Sequence, residues 1–161
     1  MKTQPILTIN GVVRPLTAAS GTVLLDVLRN DYGLMATRFG CGAESCGACI
    51  VLVDGKPVYA CTQPADSLSG VSVTTLEGLA TAGGLHPLQQ AFIDEQAGQC
   101  GYCLSGILMS AKALLDLNPT PSRADIVAAL DRHLCRCGAH VRIIRAVERA
   151  AAAMASKSKR S

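Results

Sequence analysis

Eight cysteines, four on either side of a Gly/Ala/Thr stretch at residues 78–84, constrain this chain more than any other feature. The first set is Cys41, Cys46, Cys49 and Cys61; the second is Cys100, Cys103, Cys135 and Cys137. A chain of 161 residues split in this way leaves two small modules, and small cores need a staple. Apolar residues make up 49% of the sequence but aromatics only 3%, with no Trp, so the cores must be built from Ala, Leu, Val and Ile. The N-terminal MKTQPILTINGVVRPLT is broken by Asn10-Gly11 and is followed by no cleavage pattern, so it does not read as a signal peptide. No run approaches the ~18 apolar residues of a membrane span. The expected compartment is therefore the cytoplasm, where gathered cysteines bind metal or do redox work rather than form disulfides. A net charge of +3, with no basic stripe and no interleaved aromatics, argues against nucleic acid as a partner. The one basic run, Lys157, Lys159 and Arg160, reads as a solvated tail.

The first half patterns as a small mixed module. Ile6–Ile9 and Val12-Val13 flank Asn10-Gly11, and a second hairpin joins Ile50–Val53 to Pro57–Ala60 through Asp54-Gly55; both dipeptides suit a type I′ turn. Val71–Thr74 alternates like a last strand. Thr22–Asn30 sets Leu24, Leu25, Val27 and Leu28 on one helical face, with Gly33 as the stop.

The second half is helical. His86-Pro87 opens a helix that Gly98 should close, and Leu104 to Leu115 repeats at helical spacing up to Asn118-Pro119. Ser122 with Asp125 reads as a capping box, and Val141, Ile144, Val147, Ala151 and Met154 mark a fourth helix. The expected class is α+β: a ferredoxin-type module over 1–78, a linker over 79–84, a four-helix bundle over 85–155 and a basic tail over 156–161.

Cys41, Cys46 and Cys49 have the C-x4-C-x2-C spacing of plant-type [2Fe–2S] loops, and Cys61 supplies a fourth thiolate from the second hairpin. Gly40, Gly42 and Gly47 let backbone amides approach such a group and offset its negative charge. Cys100 and Cys103 precede or open one helix, and Cys135 and Cys137 sit between the next two, so the pairs can close a second four-thiolate site. Structural zinc also takes four thiolates, and two disulfide frameworks can be drawn; spacing alone favours iron–sulfur sites over both. His86, His133 and His140 read as helix-end polar residues rather than ligands.

Three motifs then become recognisable in order: Gly40-Cys41-Gly42-Ala43-Glu44-Ser45-Cys46-Gly47-Ala48-Cys49, Gln99-Cys100-Gly101-Tyr102-Cys103, and Leu134-Cys135-Arg136-Cys137-Gly138. Together they closely resemble the [2Fe–2S] small subunit of the xanthine oxidase family of molybdenum hydroxylases, over nearly the whole chain. The resemblance implies a β-grasp domain followed by a four-helix bundle, each holding one [2Fe–2S] cluster. It implies a large partner subunit carrying a molybdopterin-type cofactor, and a flavin or cytochrome subunit that accepts the electrons. It places Gln99 and Cys137 in contact with the pterin. The chain itself would relay electrons and hold no catalytic residue; it has no G-x-G-x-x-G after a strand and no P-loop, so no flavin or nicotinamide is expected on it.

Two departures from the family pattern stand out. Glu44 occupies a position where many relatives have Gly, so the loop must either turn differently there or carry a non-Gly residue in a strained backbone region. Leu104-Ser105 follows Cys103 where relatives often have Thr-Pro, a version similar to the small subunits of nicotinate- and isoquinoline-type hydroxylases. An N-heteroaromatic substrate is the expectation, with an aldehyde- or CO-oxidising complex, or a free-standing ferredoxin-like carrier, as alternatives.

Overall fold

Asn10-Gly11 and Asp54-Gly55 build two hairpins in the computed structural model, which describes residues 5–158, excluding the side chains of 157 and 158. Asn10 (φ 51°) and Gly11 (φ 79°) take the left-handed conformations of a type I′ turn, as do Asp54 (47°) and Gly55 (78°). β1 (Ile6–Ile9) therefore pairs antiparallel with β2 (Val12–Pro15), and β3 (Ile50–Val53) with β4 (Lys56–Tyr59). The second strand of that hairpin starts one residue earlier than Pro57 would suggest, and Pro57 is tolerated because β4 lies at a sheet edge. β5 (Ser72–Thr74) joins the hairpins, parallel to β1 and antiparallel to β3, giving the order β2-β1-β5-β3-β4 among the described residues.

The expected helix over Thr22–Asn30 is α-helical only at α1 (Leu24–Asp26) and widens into a π-helical turn at Val27–Asp31. Tyr32 donates its backbone N–H to Val27 (3.2 Å), and Leu34 reaches Leu28 (2.8 Å). The Arg29 guanidinium donates to the Met35 and Thr37 carbonyls (2.9 and 2.8 Å), holding the following segment across the turn. The buried set is still the one read from the pattern: Leu24, Leu25, Val27 and Leu28 pack under the sheet with Leu7, Ile9 and Val73.

In the second half, α2 (Pro87–Asp94) starts at a His86 capping box, in which the imidazole Nδ1 accepts from Leu88 N–H (3.1 Å) and Gln89 Oε1 from His86 N–H (3.0 Å). It ends before Gly98, because Gln96 turns the chain with φ +47°. α3 (Leu104–Leu117), α4 (Arg123–Leu130) and α5 (His140–Ser158) follow. Lys159 and Arg160 lie outside the described residues, and α5 already includes positions 156–158 that were read as tail. The capping box at Ser122 is present: its hydroxyl accepts from Asp125 N–H (3.2 Å), while Ser122 N–H donates to Asp125 Oδ2 (2.8 Å). Ser122→Ala should lower unfolding stability by ~1 kcal/mol in denaturant titration, without altering metal content. A Ser122→Ala chain as stable as the parent would show that α4 does not depend on its cap.

Leu88, Phe92, Ile107, Leu115, Ile126, Ile143 and Val147 form the core of the helical half. α3 has two apolar faces. Ile107, Leu108, Ala111 and Leu115 enter that core, whereas Met109 and Ala113 pack across the sheet on Ile50 and Leu52. Leu79, in the segment read as a linker, is buried in this third cluster. The sheet and the helices therefore share a packed seam along α3, and the first thiol loop meets α3 near its N-terminus, where Cys103 caps the helix.

Candidate iron–sulfur sites

The loop from Phe39 to Cys49 curls because Gly42 (φ 66°), Glu44 (55°) and Gly47 (72°) all adopt left-handed backbone. The curl aims the amides of Ala43 and Ser45 at Cys41 Sγ, at 3.3 and 3.2 Å. Those two bonds are the main cause of a Cys41 thiol held down to about 7, with Cys46 adding a further hydrogen bond. Cys49 is the opposite case. It is 1% exposed, and burial pushes its thiol up to about 12, with Cys61 as its hydrogen-bonding neighbour. The first set thus stands as two neighbouring pairs, Cys41 with Cys46 and Cys49 with Cys61.

The second set repeats the arrangement. The Cys100 thiol is lowered, first by a backbone bond from Tyr102 and then by Cys137; Cys103 is buried beside Cys135 and pushed up to about 12. Gln99, Cys100, Cys103, Cys135 and Cys137 line one small cavity, and Gln99 Nε2 donates to the Cys137 carbonyl at 3.4 Å. Cys103 caps α3, so its thiol sits at a helix N-terminus.

The structure gathers the eight sequence-predicted thiols into the two expected sets. Among the described residues, no three His, Cys, Asp or Glu side chains converge on one ion-sized point. Two pairs per set instead suit a two-iron group, in which each iron takes two of the four thiolates. All four must be deprotonated to bind, so loading releases protons and is favoured by rising pH, and burial makes the protons of Cys49 and Cys103 hard to remove.

Contacts between the two loops were not legible in the sequence. Leu134 donates its N–H to the Cys46 carbonyl (3.1 Å), one residue before Cys135. Tyr102, between Cys100 and Cys103, donates its hydroxyl to the Phe39 carbonyl, and Arg38 lies over the Tyr102 ring at 5.7 Å. Ser105 is 5% exposed and donates to the Ala48 carbonyl (3.3 Å). That gives the unusual Leu104-Ser105 pair a role: Ser105 ties the first turn of α3 to the first loop, and Leu104 packs on Gly98, where a Cβ would meet its Cδ1 at 2.4 Å. Gly106 lies against the Gly47 carbonyl so closely that a Cβ would stand 1.9 Å from that oxygen. An isolated Gly within an apolar helix was the one sequence signal of this approach.

The histidines divide. His86 caps α2, and His140 is exposed at the start of α5. His133 lies just beyond α4, but it is 4% exposed rather than at a solvated helix end, with Nε2 2.8 Å from Ser110 Oγ. Burial pushes it down to about 4, so it is neutral. Glu44 does carry its side chain at positive φ, and Thr62, the residue after Cys61, donates its hydroxyl to Glu44 Oε1 (2.5 Å). The carboxylate is thereby pinned across the rim of the first site.

Family models match both halves: a 2Fe-2S iron-sulfur cluster binding domain over residues 7–72 and a [2Fe-2S] binding domain over 75–148. A nicotinate dehydrogenase subunit from Pseudomonas putida is 50% identical over 94% of this chain and 96% of its own length. The chain belongs to the [2Fe–2S] small subunits of the xanthine oxidase family of molybdenum hydroxylases. The alpha chain of isoquinoline 1-oxidoreductase from Brevundimonas diminuta is 48% identical to this small subunit over 86% of its length and 91% of that relative. The crystal structure of quinoline 2-oxidoreductase from Pseudomonas putida 86 superposes with a TM-score of 0.91 at 36% identity, covering 97% of this chain and 96% of the matched one. As a member of this family it is the iron–sulfur subunit of an oxidoreductase, with two [2Fe–2S]-binding domains. Among the described residues no helix is long and apolar enough to cross a membrane.

Proposed function

We propose that this small subunit relays electrons from a large molybdopterin-binding subunit, which oxidises an N-heteroaromatic substrate of the nicotinate or isoquinoline kind, to a flavin or cytochrome acceptor in the cytoplasm. The observation that carries the reading is the Leu134–Cys46 backbone hydrogen bond (3.1 Å), which ties the first thiol loop to the residue before Cys135 of the second set. A [2Fe–2S] cluster at each set supplies one-electron storage. Cys41, Cys46, Cys49 and Cys61 hold one within a β-grasp domain over 1–78. Cys100, Cys103, Cys135 and Cys137 hold the other within a four-helix bundle over 85–155, with 79–84 as the connection and 156–161 as the tail.

The protein's own groups divide the work. Buried Cys49 and Cys103 anchor each site to its core, whereas exposed Cys41 and Cys100 sit at the rims. Backbone amides of Ala43 and Ser45 stabilise negative charge on Cys41. Gln99 and Cys137 meet on the exposed side of the helical site and face the pterin of the large subunit, where the Gln99 amide offers both a donor and an acceptor. The exposed run from Gly40 to Ser45 is the exit to the acceptor. The substrate assignment rests on the nicotinate and isoquinoline relatives and on the Leu104-Ser105 pair.

The reading is tested by isolating the complex through this chain. A copurifying large chain with molybdenum, and bleaching of the visible absorbance by nicotinate or isoquinoline under anaerobic conditions, are expected. A stable, iron-loaded monomer with no affinity for a molybdenum-bearing chain would instead mark a free-standing carrier. Gln99→Leu should leave the iron signals intact and weaken retention of the molybdenum partner by about 1–3 kcal/mol, because a polar edge at the interface loses its partner. Gln90→Leu is the control, since the Gln90 side chain is exposed on α2 and donates to Asp94 on the same helix (2.8 Å). Equal retention in both variants would remove Gln99 from the interface.

A further inference from the structure

We propose that His133 is a positioning residue: its imidazole, anchored on Ser110, is the spacer that fixes the separation of the two thiol sets. The inference rests on the relay reading and concerns how the two sites are held at a working distance. Three observations locate the ring. Its Nε2 is 2.8 Å from Ser110 Oγ on α3, so α3 sets its orientation. Its other nitrogen, Nδ1, is buried with no hydrogen-bond partner. That same edge abuts Gly47, where a Cβ would lie 2.2 Å from Nδ1, 2.8 Å from Cε1 and 2.9 Å from the Arg132 carbonyl.

The ring therefore fills the space that a side chain at position 47 would occupy, between Cys46 and Cys49 of the first set. The residue after His133 makes the Leu134–Cys46 bond, and the next is Cys135 of the second set. Gly47 is consequently held on two sides, by the His133 ring and by Gly106 against its carbonyl. A planar ring with few rotatable bonds is a stiff spacer, and the Ser110 contact fixes its tilt. An unpaired buried nitrogen is costly to keep, so an apolar side chain of similar size would serve better if filling volume were the whole role. Removing the ring leaves a void between the two loops. Closing or hydrating that void shifts Cys46 relative to Cys135.

Electron tunnelling falls exponentially with separation, and the magnetic interaction between two reduced centres falls with its cube. The test uses the assembled, iron-replete enzyme, with electron paramagnetic resonance of the doubly reduced state and flash or rapid-mix measurement of transfer between the sites. His133→Ala is expected to lose or shrink the spin–spin splitting and to slow inter-site transfer at unchanged iron content. His133→Gln, whose longer amide extends to about where Nε2 stands and can still reach Ser110, is expected to restore part of both, and His133→Leu neither. Wild-type splitting and rates in iron-replete His133→Ala overturn the proposal. If that variant fails to load iron, Ser110→Ala decides: it keeps the ring and removes its anchor, so reduced splitting supports the spacer and unchanged splitting overturns it. A wild-type enzyme with no pair of interacting centres would sink the relay reading instead, which separates the two failures.

Discussion

Cys49→Ser is expected to abolish turnover with an external acceptor while leaving the helical site loaded and reducible. Cys49 is buried at the edge of the sheet core beside Cys61, and its neighbours there, Leu25, Val51 and Ala60, are buried too. A serine hydroxyl is a harder and far less acidic ligand than a thiol, and burial, which already pushes Cys49 up to about 12, disfavours its ionisation further. The first site therefore loses iron. In the proposed assignment the second site draws its four thiolates from residues 100–137, so it should not depend on Cys49. Two readouts separate the sites. Steady-state rates with a dye or the physiological acceptor should fall to background, because the proposed exit runs through the exposed loop. Anaerobic single turnover with substrate should still reduce the helical site. The reciprocal Cys103→Ser should block both. Wild-type steady-state rates in Cys49→Ser would mean that electrons leave by a route that bypasses the sheet domain.

Gly106→Ala should be nearly as damaging, although it removes no ligand and adds one methyl group. The added Cβ would lie 1.9 Å from the Gly47 carbonyl oxygen, 3.0 Å from its carbonyl carbon and 3.3 Å from that of Ala48. All three are backbone atoms of the first loop, which the two flanking thiols hold in place, so no flexible side chain can yield. Relief requires α3 to move off the loop, which breaks the Ser105–Ala48 bond and strains Leu134–Cys46. Overpacking of this kind costs about 3 kcal/mol. Lower iron content in both sites and an unfolding midpoint well below the parent are expected. Gly83→Ala serves as the control, because a Cβ there meets only Thr81 Oγ1, at 3.5 Å. If Gly106→Ala purified with full iron and parental stability, the two halves would not be docked as described.

What the sequence made legible is local chemistry. Asn10-Gly11 and Asp54-Gly55 specified both hairpins because φ angles of that sign are tolerated by few residues, and Ser122-x-x-Asp125 specified a helix start through bonds that span one turn. The spacing of Cys41, Cys46 and Cys49 likewise pointed to one set, since three thiols within nine residues lie close together, whereas the second set needed two helix turns to bring Cys100 and Cys103 to Cys135 and Cys137. What stayed hidden depends on partners distant in sequence. The π turn after α1 depends on Arg29 reaching carbonyls of the next segment. The α3–sheet seam buries Met109 against Ile50 and Leu52, contacts that helical periodicity cannot distinguish from the rest of an apolar helix. His133 looked like a polar residue at a helix end; its burial depends on Gly47 having no side chain, and those positions are joined only in the folded chain. At Glu44 the sequence left a different turn and a strained backbone both open; the structure takes the second (φ 55°), and the Thr62 hydroxyl that holds the carboxylate was not legible at all.

The most direct test of two [2Fe–2S] sites is the metal and sulfide content of the purified chain or complex. Two domains of two irons each require four iron and four acid-labile sulfide per chain, with two distinguishable paramagnetic signals on reduction. That is the predicted result. Zinc in place of iron, or two iron and a single signal from a fully folded chain, would contradict it.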